Sequence, residues 1–366
     1  MLLEKHDQCN NRKILFIATG NSEPMTGGIY YIKNILSAFQ KKLSIELLLW
    51  PNSFGQFERW IPFIFANLKI ITTALKAKSP FIVYDSRFYA VFVYLSWLLK
   101  LLGFASITIY QGSHLRLAVH ESCLKKFLRR ILLSSTLRQS KLIIANSSIT
   151  HSELVSDFGL AEDSISVIPP GFQSDNWTQP SGLFNSTVLK IFVPSRYQWV
   201  KGVDVIVNAI HAMKCRNIIV RIVGAKQDNE LDYYADLKRS AKDLPIEFFD
   251  YKNHEEMKNM YIDSDIIVIP SRFESFGISV LEGLWHGCTV VCSDALPKEI
   301  RNSSCHIHSF ESENISDLAY ILDKMAIKKY NGDIIRFPYP LIDAEKWSWN
   351  RFQNEIYEFI INRKIA

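Results

Sequence analysis

Short apolar runs alternate with helical stretches along nearly the whole chain, and this alternation restricts the fold more than any other feature. Lys13–Thr19 (KILFIAT) is apolar on both faces, which suits a strand of a parallel sheet covered on both sides. A helical pattern follows from Ile29 to Phe39. Ser44–Leu49, Phe81–Asp85, Ile107–Tyr110 and Leu142–Ala145 are further strand-like runs, and Ser164–Pro170 closes this half. Gly171–Thr187 is polar and carries Pro180, Ser181 and Gly182, the marks of a linker. The theme then restarts. Val188–Pro194, Ile218–Val223, Ile246–Phe249, Ile266–Ile269 and Thr289–Cys292 read as strands. Helices are predicted over Gly202–Lys214, Glu230–Ala241, Glu255–Tyr261 and Ile278–Trp285. Strand–helix alternation twice over predicts an α/β chain of two doubly wound, Rossmann-like parallel-sheet domains facing across a cleft. At 366 residues the length agrees with at least two domains. The expected division is 1–176, 177–342 and a C-terminal helical segment, 343–366, with Trp347 and Trp349.

Charge separates the two halves. Residues 41–141 hold 15 Lys/Arg against 4 Asp/Glu, although the whole chain is only +5. So basic a stretch fits an anionic membrane face, nucleic acid or an acidic substrate. No recognised nucleic-acid motif accompanies it, so nucleic acid is not expected as a partner. Phe88–Tyr110 has one charge, Lys100, in 23 residues. Gly103 interrupts it and β-formers follow, so it reads as a buried helix and a buried strand, not a membrane span. The six cysteines show no Cys-x-x-Cys pair or zinc-like spacing, and His306 and His308 beside Cys305 read as loop surface. Met1–Arg12 is polar and does not read as a signal peptide, so a reducing cytoplasmic setting is expected.

Three constellations lie just after strands, where doubly wound sheets bind ligands. Thr26-Gly27-Gly28 precedes a helix, and glycines there let backbone N–H groups approach a phosphate. Arg196 and Lys201, five apart in Ser195–Gly202, can both reach one diphosphate, one with a planar fork and one with a mobile point charge. The third, Pro270-Ser271-Arg272-Phe273-Glu274-Ser275-Phe276-Gly277-Ile278-Ser279-Val280-Leu281-Glu282, sets two glutamates eight apart, one in a loop and one in a helix. Carboxylates accept hydrogen bonds from sugar hydroxyls, and Gly277 leaves helix N-terminal N–H groups open to an anion.

In this order, and with Val167-Ile168-Pro169-Pro170-Gly171 before the linker, these motifs resemble the retaining GT-B glycosyltransferases of family 4 over nearly the whole chain. The resemblance implies a nucleotide-sugar donor on the C-terminal domain. Arg196 and Lys201 would hold its diphosphate, and Glu274 would contact the transferred sugar. Ser275, Phe276, Gly277 and Ile278 would line the phosphate side, with Glu282 on the ribose and Gly27 and Gly28 closing from the other domain. The last helix would cross back to the N-terminal domain, which receives a saccharide or lipid-linked acceptor. No cofactor and no essential metal are expected. Assembly of bacterial surface polysaccharide or lipopolysaccharide would suit such an enzyme.

Departures from the family pattern are few. Tyr110-Gln111-Gly112 stands where a His-Gly pair is frequent. Gln111 can hydrogen-bond but cannot act as a base, and His114 is either its substitute or a structural residue. Asp263-Ser264-Asp265 imitates a metal motif of another glycosyltransferase fold, but it sits at a helix-to-strand junction. Cys123–Leu133 places cations beside apolar residues at helical spacing, either an interfacial helix on anionic lipid, peripheral to the membrane, or a domain helix with a solvated basic face. Two functions without transfer remain alternatives: a sugar-nucleotide epimerase and a silent binding subunit.

Overall fold

Each apolar run marked above forms a parallel strand. The computed structural model describes residues 13–19, 31–37, 44–50, 70–73, 75–76, 81–85, 97–112, 122–174, 186–226 and 230–362. The first sheet holds β1 (Lys13–Thr19), β2 (Ser44–Trp50), β3 (Phe81–Asp85), β4 (Ala105–Tyr110), β5 (Leu142–Ala145) and β6 (Ile165–Val167) in the order β2-β1-β3-β4-β5-β6. The second holds β7 (Leu189–Pro194), β8 (Ile218–Val223), β9 (Ile246–Phe249), β10 (Ile266–Ile269), β11 (Thr289–Ser293) and β12 (Ile307–Phe310) in the order β12-β11-β10-β7-β8-β9. β10 (IIVI) and β11 (TVVCS) are buried at every position, as strands covered on both faces must be.

The described helices include α1 (Cys123–Gln139), α2 (Ser148–Ser156), α3 (Val203–Ala212), α4 (Leu231–Ser240), α5 (His254–Ile262), α6 (Ile278–Trp285), α7 (Lys298–Arg301), α8 (Ile315–Tyr330) and α9 (Trp349–Asn362). The chain divides into two compact units. One is Met1–Pro170 with Trp349–Ala366, and the other is Gly171–Ser348. α9 therefore belongs with the first sheet. Phe352 and Ile356, one turn apart, are fully buried there with Phe16, Ile35, Val83 and Ile109. The Phe352 ring lies 5.3 Å from that of Tyr31. Arg351 Nη2 donates to the Pro169 carbonyl at 2.6 Å.

The structure differs from the sequence reading in four places. β6 covers only three of the seven residues expected, because Pro169 and Pro170 have no N–H to extend a ladder. α7, β12 and α8 fill the span between Cys292 and Asp343, where no element was assigned. α8 buries Leu318, Leu322, Met325 and Ala326 at helical spacing, and its Asn314 cap accepts from the Asp317 N–H at 3.0 Å. His308 lies on edge strand β12 instead of in a loop. Helical residues 97–101 are not a buried helix, since Leu99 is covered while Trp97, Leu98 and Leu101 are exposed. No helix among the described residues is long and apolar enough to cross a membrane.

Candidate functional site

In the second sheet the chain runs outward through β7, β8 and β9, then returns to β10 on the other side of β7. The loops leaving β7 and β10 therefore part at a topological switch point, where an open α/β sheet leaves a crevice at the strands' carboxyl ends. Residues 195–202 form the first loop and residues 270–277 the second.

The first loop is pinned from below. Tyr197 is fully buried, and its hydroxyl donates to the Phe249 carbonyl at 2.6 Å, with the Ile222 carbonyl 3.0 Å away. Burial raises the pKa of this phenol, so it stays a donor. Gly224, directly after β8, packs its backbone on the same loop. A Cβ there would lie 2.1 Å from the Ser195 carbonyl oxygen. The sequence reading assigned Gly224 and Tyr197 no role. A glycine closing a strand is the one local signal, since only its missing Cβ permits so close an approach.

The two loops are then joined. Gly202 adopts a left-handed conformation (φ 66°) between the turn Trp199–Lys201 and α3. Its Cα faces the Pro270 carbonyl so closely that a Cβ would come within 2.0 Å of the oxygen. Arg272 completes the junction. Its N–H donates to Val200 O at 2.9 Å, and Nη1 donates to Trp199 O at 2.6 Å. The guanidinium also grips both oxygens of Asp204, at 2.8 and 2.6 Å, and stacks 4.3 Å from the Trp199 ring centre.

That junction brings the predicted residues together. Lys201 Nζ donates to Glu274 Oε2 at 2.5 Å, both side chains being 18% exposed. The half-buried Arg196 guanidinium has no hydrogen bond to a described residue. Burial lowers its pKa, while the charges of Glu274 and Glu230 act against that shift. The Lys201–Glu274 pair thus stands beside a second cation. Gly277 (φ 100°) caps α6 and accepts from the Val280 N–H at 3.0 Å, so within the first turn the Ile278 and Ser279 amides are the ones with no acceptor in the helix. Phe276 turns its ring into the core, 5.9 Å from Trp347, so only its backbone is on offer. Ser275 and Ile278 are half-buried. Glu282, on α6, accepts from the Tyr261 hydroxyl at 2.7 Å. Burial, and then the Glu282 charge, push the Tyr261 pKa well up, so the tyrosine remains the donor.

Two families match the sequence. Glycosyltransferase Family 4 covers residues 42–176, and Glycosyl transferases group 1 covers residues 176–324. The chain belongs to glycosyltransferase family 4. It is 29% identical over 163 residues to the D-inositol 3-phosphate glycosyltransferase of Mycolicibacterium smegmatis, a match to 41% of this chain and 37% of that protein. The chain spans about half or less of the curated relatives it matches, from 37% to 54% of their lengths. Its fold is GT-B. The Anabaena protein Alr3699/HepE, solved with UDP and glucose, superposes with a TM-score of 0.74 at 16% identity, over 96% of this chain and all of that one. The lipopolysaccharide outer core galactosyltransferase WaaB superposes with a TM-score of 0.69 at 12% identity, over 96% of this chain and 100% of that one.

Other expected positions fall elsewhere. Gly27, Gly28 and His114 lie outside the described residues. Gln111 directly follows β4 in the first unit, half-buried, and its backbone carbonyl lies 3.5 Å from Asn146 Nδ2. The Asp-x-Asp is occupied by cations. Asp265 is fully buried and accepts from Lys329 Nζ at 2.8 Å, while Asp263 pairs with Lys190 at 2.6 Å and with Arg221. Both carboxylates tie strands and helices of the second unit together.

Proposed function

We propose that this chain transfers a sugar from a nucleoside diphosphate sugar to a hydroxyl of a saccharide or lipid-linked acceptor, with retention at the anomeric carbon and without an essential metal. The observation that carries this reading is the Lys201–Glu274 pair across the switch point, with Arg196 beside it. A diphosphate there would compete for Lys201 and share it with Arg196 and the α6 amides. Glu274 would then be released to accept from a sugar hydroxyl. The sugar–phosphate C–O bond breaks, the acceptor oxygen takes the anomeric carbon, and the acceptor's proton passes to the departing diphosphate. Negative charge grows on that leaving group, so fixed donors around it lower the barrier. Glu282, held by Tyr261, would accept from the ribose. Arg196 and Lys201 supply the positive charge that a metal supplies elsewhere, and Asp263 and Asp265 already serve cations of the protein. UDP in the HepE complex supports a uridine donor, and the WaaB likeness supports a surface-polysaccharide or lipopolysaccharide acceptor.

The test is a thermal-shift panel of UDP- and GDP-sugars, with and without EDTA, on wild type and Glu282→Ala. A donor at 100 times its Kd adds about 2.7 kcal/mol of stability. One donor should raise the transition, insensitive to EDTA and weakened in the variant. Product NMR then separates transfer with retention from epimerisation, and no turnover with any acceptor would leave a silent binding protein.

A further inference from the structure

The first half of α1 carries an apolar stripe that the described residues leave exposed. Leu124, Phe127, Leu128 and Ile131 fall at i, i+3, i+4 and i+7, the spacing of a single helix face. In a domain helix that face is the core face. Here these residues are 67%, 60%, 49% and 48% exposed, and the helix buries only Leu133, Thr136 and Leu137, all in its second half. A second apolar group lies on the connection before β4, where Trp97, Leu98, Leu101 and Leu102 are 61%, 38%, 65% and 47% exposed. The connections from β3 to β4 and from β4 to β5 step the same way across the sheet. Right-handed crossovers put both on one face of it. That side of the first sheet thus carries eight exposed large apolar side chains, four before the amino end of β4 and four after its carboxyl end.

Charge identifies the occupant. Described residues 97–112 and 122–141 contain seven Lys/Arg (Lys100, Lys125, Lys126, Arg129, Arg130, Arg138 and Lys141) and no Asp or Glu. A second copy of this chain would set one cationic face against another, so self-association is opposed. A partner both apolar and negatively charged fits, and a bilayer with anionic headgroups is both at once. A helix with cations flanking its apolar stripe lies in the plane of such an interface, with the stripe sunk below the headgroups. Trp97 suits the headgroup level, being apolar in body with a polar N–H.

We propose that residues 97–102 and the first half of α1 form a docking face for an anionic lipid bilayer. This face is independent of the donor site, because it includes no residue of the second unit.

Vesicle co-sedimentation of the full chain tests it, without donor. Wild type binds vesicles of equal parts phosphatidylcholine and phosphatidylglycerol, binds phosphatidylcholine alone far more weakly, and is released by salt. Each cation near an anionic surface strengthens partition about fivefold. Lys125→Gln/Lys126→Gln should therefore weaken binding on the order of twentyfold. Leu124→Ser/Phe127→Ser should weaken it at least tenfold, and Leu101→Ser/Leu128→Ser tests the same face if the first pair fails to fold. Ile327→Ser, an exposed apolar site on α8, should change nothing. Equal binding to both vesicle types by wild type, no binding to either, or wild-type binding by the folded apolar variants would overturn the proposal. So would a wild-type dimer that Leu124→Ser/Phe127→Ser dissolves, since the occupant would then be a second copy.

Discussion

Gly202 has no room for a methyl group, and its neighbour cannot retreat. The obstructing atom is the Pro270 carbonyl oxygen, fixed at the end of β10. Gly202→Ala therefore meets a left-handed backbone and a backbone clash together. A loss on the order of 3 kcal/mol is expected, read as a lower urea midpoint. Gly103→Ala separates the two effects. Its φ is 83°, but nothing lies within 4 Å of the added carbon, so only the backbone strain remains, roughly 1 kcal/mol. Equal losses would mean the two loops are not in the contact described. The same junction makes stability depend on pH. Burial raises the Asp204 pKa, but hydrogen bonds from Arg272 and Tyr233 outweigh it and hold the carboxyl below its ordinary value. A depressed carboxyl stabilises the fold fully above the unfolded pKa, about 4, and that contribution vanishes as pH falls through the folded value. The stability gap between wild type and Asp204→Asn should be constant above about pH 5 and shrink below about pH 4. A gap that grows on acidification would contradict the pairing.

At the scale of elements, α9 carries a separable prediction. Phe352 is wholly buried against the first sheet, so Phe352→Ala should destabilise the first unit by about 3–5 kcal/mol. Donor affinity should stay within twofold, because Arg196, Lys201, Glu274 and Glu282 all lie in the second unit. Limited proteolysis with mass mapping should find new cuts within 142–167 and not within 189–223. The strands were legible in the sequence because buried parallel strands are short, continuous runs of Val, Ile and Leu with turn signals at both ends. Ile218–Val223 and Ile266–Ile269 match residue for residue. Arg196, Lys201 and Glu274 were legible because they follow two such runs. What brings them together was not. Gly224 reaches Ser195, and Arg272 reaches Trp199 and Asp204, only because β7 neighbours both β8 and β10. That pairing is long-range and leaves no local mark. Residues 97–102 show the converse: apolar composition marks a surface to be covered but does not say by what.

For the whole molecule, the division into Met1–Pro170 with Trp349–Ala366 and Gly171–Ser348 bears on how a ligand's effect is distributed. The donor contacts proposed are the two loops and α6. First-turn amides of a helix exchange readily because they lack an intrahelical acceptor. A diphosphate seated on them supplies one. Hydrogen exchange in saturating UDP-sugar should therefore slow most at 277–279 and along 195–202. β5 and α2 of the first unit should keep their rates. The two segments test different parts of the proposal. Slowing at 277–279 alone would mean the anion sits on α6 and leaves Lys201 paired with Glu274. Slowing at 195–202 alone would mean the cations bind it without the helix. Joint slowing, with Lys201→Ala abolishing both, is what an anion shared across the β7–β10 switch point requires.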